Sequence, residues 1–108
     1  MAINTVGNAL AESGSNFAAD DDPELIAGAL PFGLKTIEGL LAQSPKHKGL
    51  LFASCSGFTQ YSYAFVQQEA DYIEATDLAR ATLLRGRATR MYRRALGYGQ
   101  RGLEARHA

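Results

Sequence analysis

Residues 47–73 read HKGLLFASCSGFTQYSYAFVQQEADYI, and this stretch decides the fold class. Leu51, Cys55, Phe58, Ser62, Phe65 and Tyr72 fall on one stripe at helical spacing, with Glu69 also on it. Leu50, Ser54, Gly57, Tyr61 and Ala64 form an adjoining stripe of mostly small residues. A strand would need alternation by two, and the stretch shows none. Small residues let a neighbouring helix approach closely, and aromatic rings fill the space beside them. The spacing therefore predicts one long helix packed against others.

Upstream, Leu25, Ile26, Ala29, Leu30, Leu34, Ile37, Leu40 and Leu41 also recur at helical spacing. The start is well marked: Asp21 or Asp22 can cap, Pro23 suits the first turn, and Glu24 favours the positive end of the helix dipole. Pro31 removes a donor in mid-run, which predicts a kink or two abutting helices. Ser44 and Pro45 then read as the cap and first position of the next helix. Before all this, MAINTVGNALAE (1–12) fits a short amphipathic helix through Ile3, Val6 and Leu10, followed by the linker-like SGSNFAADDD.

Downstream, Ala75-Thr76-Asp77 reads as a turn and cap. A last helix then runs from about Leu78 to Leu103 with Leu84, Ala88, Met91, Ala95 and Tyr98 on its inner stripe. Arg80, Arg87, Arg94 and Arg101 recur every seven residues and fall on a different face. Gly97, Gly99 and Gly102 are expected to weaken the helix end. The fold class is all-α, with antiparallel long helices in a single domain over 1–108. Residues 1–20 are an N-terminal segment and linker, and 21–106 the helical core.

Composition narrows the function. The chain has 108 residues, with 11 Lys+Arg against 11 Asp+Glu and no net charge. A general nucleic-acid binder needs a basic excess, so none is expected to bind. Unbroken apolar runs are only a few residues long, which predicts no membrane span. The single cysteine, Cys55, excludes an internal disulfide and a multi-cysteine zinc site. Charge is segregated along the chain. Residues 1–79 hold ten acidic residues against three lysines, whereas 80–108 hold eight arginines against Glu104. The two parts are expected to fold back on each other with complementary surfaces.

No catalytic constellation emerges, and the chain does not read as an enzyme or as needing a cofactor or metal. Asp20, Asp21 and Asp22 lack the spacing of a calcium loop and read as helix-capping residues. His47 and Cys55 lie eight residues apart on one helix, about 12 Å along its axis, too far for proton transfer. GLKTIEG (33–39) and GYGQRG (97–102) lack phosphate-loop spacing. The aromatic stripe Phe58, Tyr61, Phe65 and Tyr72 can be packed core or the lining of an apolar cavity. The residues alone favour core. For the arginine-rich helix, a solvated face or internal pairing is favoured over nucleic acid or phospholipid.

DDDPELIAGALPFGLKTIEGLLAQSPKHKGLLFASCSGFTQYSYAFVQQEAD (20–71) and RATRMYRRALGYGQRGLE (87–104) together resemble the TRAP transporter T-component family, over roughly residues 3–106. The resemblance implies tetratricopeptide-like helix pairs and a non-catalytic, periplasmic accessory of a tripartite ATP-independent periplasmic transporter. On this basis the partner is the transporter's periplasmic solute-binding component, with an apolar ligand as a further expectation. Phe58, Tyr61, Phe65 and Tyr72 would line the ligand site, and Gln67, Gln68, Arg87 and Arg94 would meet the partner. Family members are longer lipoproteins, so the chain corresponds to their N-terminal part and would reach a membrane only through an anchor outside these residues. Three helices cut from a longer array leave a flank uncovered, which predicts a homo-oligomer. The alternative is a helical interaction adaptor unrelated to transport.

Overall fold

The computed structural model describes residues 21–107, so the helix expected through Ile3, Val6 and Leu10 and its linker lie outside the described residues. Helix α1 spans Pro23–Gln43. Its cap is Asp22, whose Oδ1 accepts from the Leu25 N–H at 3.2 Å, with Pro23 and Glu24 filling the first turn as the sequence indicates. The helix is not divided at Pro31. Leu30, Leu34, Ile37 and Leu41 are buried along one side, so packing on both sides of the proline offsets the missing donor. By length and composition α1 is also apolar enough to cross a membrane. Glycines and alanines between the leucines keep the stretch apolar, which a search for unbroken runs overlooks.

Ser44 closes α1 rather than opening the next helix, its N–H donating to Leu40 O at 2.9 Å. Helix α2, Lys48–Tyr61, is capped instead by His47, whose Nδ1 accepts from the Leu50 N–H at 3.1 Å. The imidazole supplies the acceptor that the sequence reading gave to serine.

From α2 the chain passes without a break into a π-helical segment, Ser62–Gln67, and then into α3, Gln68–Ile73. The buried positions Ser54, Phe58, Ser62, Val66 and Ala70 step by four throughout. A regular α-helix would drift off its contact face at that step. The wider turn, with Gln68 N–H donating to Tyr63 O five residues back, brings the face round again. This corrects the stripe read from the sequence. Val66 and Ala70 point inward, whereas Glu69 is exposed and Tyr72 is 88% exposed.

Helix α4, Leu78–His107, begins at Asp77, whose Oδ1 accepts from the Arg80 N–H at 3.0 Å. No strand occurs among the described residues, and the fold is all-α. The helices are antiparallel neighbours: α1 lies against α2, and α4 runs back along α2, the π segment and α3. Leu30, Leu34, Phe58 and Ala95 form one core cluster, and Ile37, Leu41, Leu50 and Leu51 the other, with Tyr98 packed against both.

The glycines of α4 do not end it. A Cβ at Gly99 would stand 2.9 Å from Cys55 Sγ, and one at Gly102 would stand 3.6 Å from Leu51 Cβ. On α1's side of α2, a Cβ at Gly57 would meet Leu34 Cδ2 at 2.5 Å. Gly57 and Gly99 are thus close-approach positions, where packing outweighs the lower helix propensity of glycine.

Candidate binding face of the helical bundle

Glu38 on α1 is the centre of the polar arrangement. Lys35, one turn earlier, donates to its Oε1 at 2.8 Å, Arg94 Nη1 reaches the same oxygen at 3.4 Å, and the Tyr98 hydroxyl donates to Oε2. The Glu38 side chain is only 15% exposed. Burial pushes its carboxyl upward, yet the bonds from Lys35 and Tyr98 and the positive charges nearby hold it below the ordinary value. Burial first, and then the Glu38 carboxylate, push the Tyr98 phenol up to about 12, against the opposing pull of Arg94 and Arg101.

The seven-residue arginine repeat and the aromatic residues meet in this structure. The Arg87 guanidinium lies 5.6 Å from the Tyr61 ring centroid, Arg94 lies 5.3 Å from Phe58, and Arg101 lies 5.4 Å from Tyr98. Phe58 stacks on Tyr98 at 6.0 Å, and Tyr61 tilts against Phe65 at 5.6 Å. Arg101 also donates to Pro45 O at 3.1 Å, and Arg80 approaches Glu69 at 3.8 Å. Arg87, Arg94 and Arg101 thus each set a guanidinium over a ring, whereas Arg80 faces a carboxylate instead.

Of the four aromatics read as one stripe, Phe58 is core, Tyr61 and Phe65 are half-buried beside it, and Tyr72 stands apart because the π turn rotates it outward. Gln67 accepts from the Tyr92 hydroxyl at 2.6 Å, tying the π segment to α4, while Gln68 is exposed. Arg87 and Arg94 belong to the ring-backed ladder. The sequence reading missed Glu38 as an anchor, and it missed Arg85, which reaches Asp71 at 2.8 Å and Glu74 at 3.1 Å. These pairs realise the attraction between the acidic and basic parts of the chain. Cys55 is half-buried beside Gly99, and His47 serves as a cap. Among the described residues no group of three or more His, Cys, Asp or Glu is placed to hold a metal ion.

The sequence family described as TRAP transporter T-component matches residues 19–108. The chain belongs to that family. It is also similar to an uncharacterized protein of Treponema pallidum (strain Nichols), 35% identical over 88 residues. That alignment covers 82% of this chain but only 27% of the relative, so the T-component chain spans about a quarter of its relative's length. No solved structure matches the chain. The family match takes in the whole bundle from Asp22 through α4, including Glu38, the aromatic residues and the arginine ladder.

Proposed function

We propose that the protein is a non-catalytic accessory of a tripartite ATP-independent periplasmic transporter, acting in the periplasm by docking to the solute-binding component. The family match over residues 19–108 carries this reading. The bundle supports it in kind: it offers a recognition surface of fixed arginines and rings, with Arg87 and Arg94 among the contacts and Gln68 exposed beyond them. If the helices belong to a stacked helix-pair array, its uncovered flank would take a partner, another copy of the chain among them. Phe58, Tyr61 and Phe65 form the apolar side of the same region and would face a hydrophobic ligand only where Tyr61 and Phe65 remain partly open.

Isothermal titration of the purified chain with the solute-binding component from the same genome tests the proposal. Saturable binding that weakens when Arg87 and Arg94 become Gln supports it. Absence of binding, with no transporter genes nearby, overturns it. Native mass spectrometry of the detergent-free protein reads oligomer number and any retained apolar molecule together.

A further inference from the structure

Leu83, Arg87, Arg90, Arg94, Gly97, Arg101 and Glu104 follow one another along α4 at alternating steps of four and three. That spacing puts them on one continuous seam, the pattern along which a second helix packs nearly parallel to the first. From Arg87 to Arg101 the seam runs about 21 Å. Within α4 it lies outside the buried line of Ala81, Ala88 and Ala95, and Leu83 on it is 74% exposed.

Its charge is only partly used. Arg94 is paired with Glu38, but no carboxylate among the described residues lies within ion-pair distance of Arg87, Arg90, Arg93 or Arg101. Arg90 and Arg93 are exposed, and Arg93 flanks the seam. Arg87, Arg94 and Arg101 are held on aromatic rings, so their planar donors are oriented before any partner arrives. Between them, a Cβ at Gly97 would meet nothing within 4 Å, which leaves a gap for a partner's side chain.

We propose that this seam docks a carboxylate-rich helix of another protein. An anionic bilayer would also meet the charge, but it has no ridge to fill the Gly97 gap, and Leu83 is the seam's one large apolar side chain available for insertion. A helix bearing Asp or Glu at alternating steps of three and four satisfies both the charge and the spacing. Bidentate carboxylate contacts to fixed guanidinium planes supply the selectivity. The inference rests on geometry and charge, and it stands whether or not the partner is a transporter component.

The probe is a fluorescein-labelled alanine–glutamate helix of about 20 residues with Glu at that spacing, followed by anisotropy at low salt, where surface charges are least screened. Arg90→Gln with Arg93→Gln should weaken binding about tenfold, while Lys46→Gln with Lys48→Gln, which removes the same charge elsewhere, should change it less than about twofold. Gly97→Gln fills the gap without altering charge and should weaken binding about threefold or more. Circular dichroism confirms that each variant keeps its helices. Equal weakening by the two charge pairs, no effect of Gly97→Gln, or no saturable binding by the unsubstituted chain overturns the proposal. So does arginine-dependent binding to phosphatidylglycerol vesicles without binding to the helix, which would assign the seam to a membrane surface.

Discussion

The Tyr98 hydroxyl donates to Glu38 across 60 residues of sequence, tying the last third of α1 to the last third of α4. Arg94 reaches the same carboxylate, and the Tyr98 ring also packs against both core clusters. One tyrosine therefore joins the apolar core to the polar anchor.

This pairing sets the pH response. The folded state holds the Glu38 carboxyl below its ordinary 4.5, so the stability it contributes is present above that value and is lost as pH falls through it and below. The Tyr98 phenol runs the other way. It ionises near 10.0 in the unfolded chain and near 12 in the fold, so its stabilisation is lost as pH rises across that interval. Tyr98→Phe should reduce the alkaline loss to the part that the Tyr92 phenol, also raised by burial, contributes; it should raise the Glu38 carboxyl and destabilise the neutral-pH fold by about 1 kcal/mol. Urea unfolding from acid to alkaline pH, with carboxyl-carbon NMR titration of Glu38, checks all three. An unchanged Glu38 titration in Tyr98→Phe would refute the pairing.

The helices were legible because their caps and apolar spacing are local. Asp22, Asp77 and the inner line of α4 act where the sequence places them. What was not legible depends on partners distant in sequence. The arginine repeat and the aromatic residues were each visible, but only the antiparallel register sets Arg94 over Phe58 and Arg87 over Tyr61. Tyr72 was misplaced because a constant 3.6-residue period was carried through a segment that takes a wider turn. Continuous steps of four at Ser54, Phe58, Ser62, Val66 and Ala70 were the signal of that turn, and the larger aromatics beside them drew the reading away.

The π turn carries one residue more than its face needs. Deleting Ala64, which is exposed, should convert the turn to regular α-helix and leave Val66 and Ala70 facing inward, with a stability change within about 1 kcal/mol. Inserting an alanine at the same point should instead rotate α3 off α4 and cost several times more. Phe58→Ala should cost about 3 kcal/mol or more, whereas Tyr72→Ala should stay within about 0.5 kcal/mol. Urea midpoints decide. A large loss in the Ala64 deletion would show that the turn is required rather than accommodated.

Gly97 and Gly99, two residues apart, should respond oppositely to alanine. At Gly97 a methyl enters open space, and the gain in helix propensity of about 0.8–1 kcal/mol appears as added stability. At Gly99 it meets Cys55 Sγ at 2.9 Å, and overpacking of about 1–3 kcal/mol cancels or exceeds that gain. Cys55→Ala should relieve the clash, so the double-mutant cycle should show a favourable coupling of about 1 kcal/mol. Purely additive effects would mean that α2 and α4 do not approach at that point.

Ser54 and Ser62 are both fully buried on the inner line of the same rod, yet only one is satisfied. Ser62 Oγ donates to Phe58 O at 2.6 Å, whereas Ser54 Oγ has no partner. Burying an unpaired hydroxyl costs about 1–3 kcal/mol, and serine is also a weaker helix former than alanine. Ser54→Ala should therefore stabilise the fold by about 1 kcal/mol, a rise of about 4–8 °C in Tm for a domain of this size. Ser62→Ala forfeits a formed bond and should be neutral or slightly destabilising, although both substitutions remove the same atom from the same face. Parallel thermal and urea unfolding of the two variants makes the comparison. Equal effects would mean that partnership of the hydroxyl does not govern their energetics, and a loss in Ser54→Ala would mean that its hydroxyl is bonded in solution.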